Sequence, residues 1–270
     1  MPDAPPDDLS LALQLADAAD AISMARFRAV DLVVDTKPDL TPVSDADRAV
    51  EIAIRTMLAN ERPRDAIVGE EFGADPDSTG RRWVVDPIDA TKNFVRGVPV
   101  WATLIALMEG ADVLVGVVSA PALGQRWWAA RGYGSWSSRP GFEAQRNLVS
   151  AVASFGDASL SYSDLSDWGS RSAGFYDLAT SVWRARAYGD FWSHMLVAQG
   201  AVDISAEPEV SIWDVAALVV IVEEAGGRVT GVDGAPSPEA PSILCSNGLL
   251  HEAALAVLDH EDAGPWTPLS

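Results

Sequence analysis

The sequence predicts a layered α/β or α+β fold, formed by one large domain or by two closely packed subdomains. Segments with helical and with strand-like patterns alternate loosely along its 270 residues. In the first half, three consecutive strand-like segments are separated only by turn residues, which is typical of an antiparallel meander. A weak boundary near 140–150 predicts one compact unit with an N-terminal α+β subdomain, 1–145, and a C-terminal α/β subdomain, 146–270.

The N-terminal elements are predicted from apolar spacing and turn residues. Apolar side chains recur at helical spacing from Leu9 to about Phe27 and predict an amphipathic helix. A short strand at 32–34 precedes a loop with two prolines, and Ser44 is a predicted N-cap for a helix from Asp45 to about Ala59. Further strands are predicted at 66–69, 82–85, 102–108, 113–119 and 126–130.

The C-terminal half contains fewer strand-like segments. Strands are predicted at 159–162, 185–188, 202–205 and 228–230. Helices are predicted at 171–180, 190–199, 215–225 and 249–258. The segment 260–270 contains two prolines and is predicted to be loose.

Composition and charge exclude several classes of function. Hydrophobic residues make up 48% and charged residues 21%, as in ordinary globular proteins and unlike disordered chains. The formal net charge of −20 should repel nucleic-acid phosphates, so no nucleic-acid partner is expected. No signal peptide or membrane-spanning run is evident, and we expect a cytoplasmic protein without a membrane partner. The single cysteine, Cys245, suits a reducing compartment and is predicted to be a small buried hydrophobic residue.

Acidic residues gather at three places where a strand ends or a helix begins. The segments are Gly69-Glu70-Glu71-Phe72-Gly73, Val84-Val85-Asp86-Pro87-Ile88-Asp89-Ala90-Thr91 and Ser211-Ile212-Trp213-Asp214-Val215-Ala216-Ala217. Carboxylates beside apolar neighbours lose hydration and repel one another. A hard divalent cation relieves both effects, because it prefers oxygen ligands and supplies positive charge. The three segments together therefore predict a metal centre.

The central segment is the most informative of the three. Pro87 turns the chain between Asp86 and Asp89, so both carboxylates can face one point, and the carbonyl of Ile88 offers a further oxygen. Thr91 begins a helix or turn, where free N–H groups favour an anion. Each segment alone also has a structural interpretation: a turn, a solvated loop, or Asp214 as a helix N-cap. Their combination in this order favours a phosphate site beside bound metal.

These segments, together with Glu224-Ala225-Gly226-Gly227, resemble the motif set of the inositol-monophosphatase superfamily over about 9–258. Two flanking segments, Lys92-Asn93-Phe94-Val95-Arg96-Gly97-Val98-Pro99 and Arg126-Trp127-Trp128-Ala129-Ala130-Arg131-Gly132, are most similar to the actinobacterial type of histidinol-phosphate phosphatases. The resemblance implies an α-β-α-β-α sandwich, a homodimer, and a Mg²⁺-dependent phosphatase that uses metal-activated water without a covalent protein intermediate.

The resemblance also implies roles for individual residues. Two or three Mg²⁺ ions, with Mn²⁺ as an alternative, are expected on Glu70, Asp86, the Ile88 carbonyl, Asp89 and Asp214. Catalytic roles are expected for Glu70, for Thr91, which orients the attacking water, and for Asp47 near that water. Asp45 is the neighbouring candidate for the position of Asp47. Lys37 matches a basic position near the metal loop, and a solvated lysine is the alternative interpretation.

Substrate contacts are implied for Ala90, Thr91, Asp190, Glu207 and Asp214. Asp190 and Glu207 would suit the cationic groups of histidinol better than a neutral polyol, although Asp190 is also a candidate helix N-cap. The family usually has glycine at the position of Ala90. If φ is positive there, the added Cβ costs about 1 kcal/mol or more.

The aromatic and histidine residues give weaker signals. Ten tryptophans are many for this length, and most are predicted in the core or at a subunit interface. They include Trp127, Trp128, Trp183 and Trp192. His194, His251 and His260 lack metal-ligand spacing, which argues against zinc chemistry based on histidine.

Several functions remain open at this point. Hydrolysis of L-histidinol phosphate, a step of histidine biosynthesis, is the preferred hypothesis. The alternative is an inositol monophosphatase or a broad sugar-phosphate phosphatase with the same metal ligands. A bisphosphatase or nucleotide 3′-phosphatase is less favoured, because no added basic cluster is present for a second phosphate. A non-catalytic regulatory relative would be consistent with Ala90, but the retained carboxylates argue against it.

Overall fold

The computed structural model describes residues 6–38, 40–76 and 80–259. The helices in these ranges are α1 (Asp7–Arg26), α2 (Asp45–Glu61), α3 (Thr91–Arg96), α4 (Ser172–Ser181), α5 (Asp190–Ala198), α6 (Ile212–Glu224) and α7 (His251–Leu258). The strands are β1 (Val34–Thr36), β2 (Pro42–Ser44), β3 (Ala66–Gly69), β4 (Gly73–Ala74), β5 (Arg81–Asp89), β6 (Ala102–Glu109), β7 (Asp112–Ala120), β8 (Gln125–Ala130), β9 (Gly134–Ser138), β10 (Gln145–Arg146), β11 (Ser159–Ser161), β12 (Arg184–Arg186), β13 (Ile204–Glu207), β14 (Arg228–Thr230) and β15 (Ile243–Ser246).

The strands form a large sheet, a small sheet and a hairpin. The large sheet has the order β10-β9-β8-β7-β6-β5-β3-β4, and only β3 and β5 run parallel in it. The small sheet has the order β12-β11-β13-β15-β14, with β11 parallel to both of its neighbours. Strands β1 and β2 pair separately as an antiparallel hairpin. The predicted meander therefore corresponds to β6, β7 and β8 of the large sheet.

The helices and sheets form five layers. Helices α1 and α2 cover one face of the large sheet, with Leu15 and Ile54 packing among its side chains. Helices α5 and α6 lie between the two sheets. Helices α4 and α7 cover the outer face of the small sheet, where Leu178 and Ala254 are buried. This is the predicted layered architecture, in the α-β-α-β-α order that the resemblance implies.

Helix α6 occupies the middle layer, which explains its sequence. Every residue from 215 to 222 is buried, because the helix contacts the large sheet on one side and β14 on the other. Gly116 of β7 allows the close approach of the helix. A Cβ at Gly116 would lie 2.4 Å from the backbone oxygen of Ala217, so a side chain there would displace α6 from the sheet.

Several predicted bounds are wrong, each for a local reason. Strand β1 lies two residues later than 32–34, because the hairpin register pairs Val34 with Ser44. Helix α6 begins at Ile212 and not at 215, because the chain becomes helical directly after Ser211. Strand β13 begins at Ile204 and not at 202, because its pairing with β11 and β15 starts at Ile204.

Five of the described strands were missed by the sequence pattern: the short β2 and β4, and also β9, β10 and β15. Strands β9 and β10 contain one large apolar side chain, Trp136, so they carry little periodic signal. Strand β15 is short and fully buried, and only Cys245 within it drew attention. The prediction that Cys245 is buried is confirmed. The segment 260–270, including His260, lies outside the described residues. In the described ranges, no helix combines the length and apolar character needed to cross a membrane.

Candidate metal centre

A β-bulge in β5 brings two of the predicted metal ligands to the same side of the strand. Side chains alternate between the faces of a regular strand, so residues three apart would point in opposite directions. Asp86 is paired with Leu104 and Asp89 with Ala102, which leaves one extra residue in β5. The bulge contains Pro87, which has no N–H to lose from the ladder. Asp86 and Asp89 can therefore face one point.

The third carboxylate comes from α6 in the middle layer. Asp214 is the third residue of that helix, and its Oδ2 accepts the backbone N–H of Ser211 at 2.7 Å. One oxygen each from Asp86, Asp89 and Asp214 lies within 4.8 Å of the others. The N-cap of α6 is Ser211, so the interpretation of Asp214 as the N-cap is wrong; Asp214 binds the N-cap backbone from the third helical position and also joins the carboxylate cluster.

The electrostatics of this cluster match a hard divalent cation. Burial raises the pKa of Asp86 and Asp89 well above the ordinary value, and the charges of neighbouring carboxylates raise both pKa values further. Burial also raises the pKa of Asp214, to about 7, with added repulsion from Glu70 and Glu207. A cation among the three would offset both the lost hydration and the repulsion. The donor set is made of oxygen, which Mg²⁺ and Mn²⁺ prefer.

Glu70 lies beside this cluster and is bound to a lysine. Its backbone N–H donates to the carbonyl of Val85, which places it next to the end of β5. The carboxylate of Glu70 contacts Lys37 Nζ at 2.7 Å, and Lys37 Nζ also contacts Glu71 at 2.6 Å. Burial lowers the pKa of Lys37, but these two glutamates outweigh it and raise the pKa overall. Lys37 is therefore ion-paired and partly buried, and the interpretation as a solvated lysine is wrong.

Asp47 and Thr91 meet at the edge of the same site. Asp47 is fully buried, and its Oδ2 accepts hydrogen bonds from the backbone and the hydroxyl of Ser44 at 2.8 and 2.6 Å. Its other oxygen, Oδ1, lies 3.3 Å from Thr91 Oγ1, which in turn lies 2.9 Å from the carbonyl oxygen of Ile88. Asp45, the other candidate, binds Arg26 instead. Asp47, and not Asp45, therefore lies beside Thr91.

Asp190 and Glu207 lie close enough to the cluster to affect its charges. The backbone N–H of Phe191 donates to Asp89 Oδ2 at 2.9 Å, which ties the start of α5 to the carboxylates. Burial raises the pKa of Asp190 to about 6, with added repulsion from Glu207. The N-cap of α5 is Gly189, so the interpretation of Asp190 as a helix N-cap is wrong.

A comparison with family models shows to which protein family the chain belongs. The sequence model of the inositol monophosphatase family matches residues 7–262. The chain belongs to the inositol monophosphatase family. Among curated relatives, the histidinol-phosphatase of Mycobacterium tuberculosis is 59% identical over 94% of this chain and 98% of its own length. The histidinol-phosphatase of Streptomyces coelicolor is 57% identical over 94% of this chain and 97% of its own.

Solved structures of the inositol monophosphatase family share the fold. The IMPase of Thermotoga maritima aligns with a TM-score of 0.83 at 29% identity, and the alignment covers 94% of this chain and 97% of that one. An inositol monophosphatase from Zymomonas mobilis gives a TM-score of 0.81 at 32% identity over 94% and 98% of the two chains. The predicted family resemblance and fold class are both confirmed.

The residue between Asp89 and Thr91 has a backbone conformation that is uncommon for a residue other than glycine. Ala90 adopts φ 65° and ψ 47°, the left-handed conformation that favours glycine. Its methyl group is partly buried and packs against a cluster that includes Phe94 and Trp101. The strain anticipated from the sequence is therefore present, and the packing of the methyl group offsets part of it.

Replacing Ala90 with glycine should raise the free energy of unfolding by about 0.5–1 kcal/mol, because relief of the left-handed strain exceeds the entropy lost with glycine. Turnover should rise modestly, because the substitution removes a Cβ that would obstruct a close approach of phosphate to this part of the backbone. Urea unfolding and phosphate-release kinetics measure the two effects. Ala122→Gly, in the same apolar cluster but without a positive φ, is the matched control. Equal stability and turnover for wild type and Ala90→Gly would contradict this prediction.

Sequence reasoning missed a supporting residue behind the Glu70 turn. Glu51 is fully buried on α2 and accepts the backbone N–H of Glu71 and the Nε–H of Arg55, both at 2.8 Å. A Cβ at Gly69 would lie 2.0 Å from Glu51 Oε1, so a side chain there would displace the Glu51 carboxylate. The only signal was the apolar pattern of α2, in which a glutamate falls on the buried face.

The remaining histidines and tryptophans have ordinary surroundings, with one exception. His251 is buried between the hydroxyls of Thr230 and Ser246. Trp127 is buried in the core and Trp183 is 69% exposed. Within the described ranges, the group suited to a metal contains carboxylates alone. The exception is His194, which contacts Glu207.

Proposed function

We propose that the chain is a Mg²⁺-dependent phosphatase that hydrolyses L-histidinol phosphate to L-histidinol and phosphate. The observation that carries this proposal is the convergence of three carboxylates from two distant segments beside two further acids, Asp190 and Glu207. The first group suits divalent cations, and the second suits a cationic alcohol. The identity to the two histidinol-phosphatases over nearly the whole chain supports the same substrate.

The cation would be held by Asp86, Asp89 and Asp214, with Glu70 and the Ile88 carbonyl completing the set for two or three ions. When bound, Mg²⁺ supplies positive charge to the phosphate oxygens and lowers the pKa of a water molecule. The backbone N–H groups of Ala90 and Thr91, where α3 begins, would bind the phosphate.

Thr91 and Asp47 would orient the attacking water. Thr91 Oγ1 lies between the Ile88 carbonyl and Asp47 Oδ1, so it can present its lone pairs and its proton in a fixed direction. Burial raises the pKa of Asp47, which makes Oδ1 a better proton acceptor. The water would attack phosphorus in line, and no side chain is assigned as a nucleophile.

An assay of phosphate release tests the proposal. L-Histidinol phosphate, inositol 1-phosphate and fructose 1,6-bisphosphate are compared with Mg²⁺, with Mn²⁺ and with excess EDTA. We expect metal-dependent turnover and the highest kcat/KM for L-histidinol phosphate. Equal values for inositol 1-phosphate would favour a broad phosphatase, and turnover in EDTA would contradict the metal assignment.

Replacing Asp190 with asparagine should raise KM for L-histidinol phosphate about tenfold, because a carboxylate that binds the cationic part of the substrate is lost. KM for the neutral ester glycerol 2-phosphate should change less than about twofold by the same reasoning. Steady-state kinetics with both esters measure the difference. Asp164→Asn is the matched control, since Asp164 also interacts with Lys92 but is exposed. Equal effects on both esters would contradict an acidic substrate pocket.

We further propose a cytoplasmic homodimer whose subunit has two subdomains, 1–145 and 146–270. The large sheet ends at Arg146 and the small sheet begins at Ser159, which supports this division. The exposed Trp183 supports a subunit interface, where tryptophan is enriched. Light scattering of the purified protein, with Trp183→Gln for comparison, tests the dimer.

A further inference from the structure

His194 is a buried histidine with hydrogen bonds at both ring nitrogens. It is 1% exposed. Its Nδ1 lies 2.8 Å from Ser205 Oγ, and its Nε2 lies 3.0 Å from Glu207 Oε1. Neither bond belongs to the metal cluster. The imidazole therefore has a role that the metal chemistry does not explain.

His194 lies between the two elements that carry the acids proposed to bind the substrate, Asp190 and Glu207. Ser205 and Glu207 are two apart on β13, so they share a face of that strand. Asp190 and His194 are four apart on α5, so they share a side of that helix. The imidazole thus connects the helix that carries Asp190 to the strand that carries Glu207.

Hydrogen-bond chemistry shows that His194 donates to the Glu207 carboxylate and restricts its orientation. A carboxylate only accepts hydrogen bonds, so the Nε2 of His194 must carry the hydrogen. That bond uses Oε1 and leaves Oε2 available, and the side chain of Glu207 is 14% exposed. Glutamate has three rotatable bonds, whose freedom opposes a single orientation. The bond from His194 selects one orientation.

We propose that His194 is a positioning residue for substrate specificity, which holds the Glu207 carboxylate toward a cationic group in the alcohol part of the substrate. This inference rests on the proposed function. A neutral alcohol gains little from a fixed carboxylate, whereas a cation forms a charge-assisted hydrogen bond that depends on its direction. His194 should therefore affect KM for cationic phosphate esters and leave kcat and neutral esters nearly unchanged.

Two substitutions distinguish the hydrogen bond of His194 with Glu207 from its hydrogen bond with Ser205. The amide nitrogen of glutamine reaches about as far as Nε2, so His194→Gln retains a donor for Glu207. The amide of asparagine matches Nδ1, so His194→Asn retains the contact with Ser205 and loses the one with Glu207. We expect His194→Asn to raise KM for L-histidinol phosphate about tenfold and His194→Gln to raise it less than about threefold. Neither should change KM for glycerol 2-phosphate or kcat by more than about twofold.

Two controls distinguish positioning from a loss of packing. His251→Asn alters another buried histidine held by two hydroxyls, and it should lower thermal stability without changing the ratio of the two KM values. The double variant His194→Asn/Glu207→Gln should have the same KM for L-histidinol phosphate as Glu207→Gln alone, because His194 acts through Glu207. Additive effects, or equal KM changes for both esters, would overturn the inference. Wild type that turns over glycerol 2-phosphate but not L-histidinol phosphate would overturn the proposed function and this inference together.

Discussion

Asp89→Asn should lower kcat for phosphate release by about a thousandfold, because one of three carboxylates that would hold the cation loses its charge. The asparagine retains an oxygen that can accept the N–H of Phe191, so the bulge and the start of α5 should remain in place. A lower kcat would therefore indicate impaired cation binding and not a disturbed fold. Phosphate release at saturating Mg²⁺ measures it.

The same substitution should have opposite effects on stability with and without metal. In EDTA, Asp89→Asn should unfold at a higher temperature than wild type, because a buried charge that repels Asp190 and Asp214 is removed. Wild type should gain about 2–3 kcal/mol from Mg²⁺ at a hundred times its Kd, and the variant much less. Asp112→Asn, an exposed residue at the start of β7, is the control. A variant with normal turnover would contradict the assignment of Asp89.

Thr91→Val should lower kcat by about a hundredfold or more, with KM for L-histidinol phosphate within about twofold of wild type. Valine has the shape of threonine but no hydroxyl, so the link between Asp47 Oδ1 and the Ile88 carbonyl is lost. Because that hydroxyl is proposed to orient water and not to bind substrate, its removal should lower kcat and leave KM nearly unchanged. Thr91→Ser, which retains the hydroxyl, should stay within about tenfold of wild type.

The control for this prediction is a threonine hydroxyl outside the site. Thr56 Oγ1 donates to the carbonyl of Ile52 on α2, so Thr56→Val removes a similar bond from an exposed helix. Turnover of Thr56→Val should equal that of wild type. If Thr91→Val retained full activity, water orientation by this hydroxyl would be excluded, and Asp47 would need another partner.

The residue types of the metal centre could be predicted from the sequence, but their geometry could not. Clustered carboxylates next to apolar segments indicated a cation, and Asp86, Asp89 and Asp214 do converge. The means of convergence is a bulge in β5, and its register depends on pairing with β6. Nothing local to the Asp-Pro-Ile-Asp segment specifies where the partner strand lies. The prediction that Asp86 and Asp89 face one point is therefore confirmed, but the turn predicted at Pro87 is wrong, because Pro87 lies within β5 at the bulge.

Interactions between distant segments were the least predictable. Lys37 and Glu70 are 33 positions apart, and their ion pair depends on how the hairpin of β1 and β2 lies beside β3. His194 and Glu207 lie in different elements, and the spacing of histidines gave no reason to pair them. Helices were predicted where apolar residues recur over a helix-length segment, as in α1 and α6, and strands were missed where tertiary pairing alone supports them, as in β9 and β10.

Two hydrogen bonds have a consequence for how the site accepts a cation: Ser211 to Asp214, a proposed ligand, and Ser44 to Asp47, which would face the attacking water. Each carboxylate is immobilised by the start of its own helix, so its rotamer is chosen when the chain folds and not when an ion arrives. Capture should then release water from the ion without ordering the polypeptide. In this respect the protein differs from zinc fingers, in which metal and fold appear together.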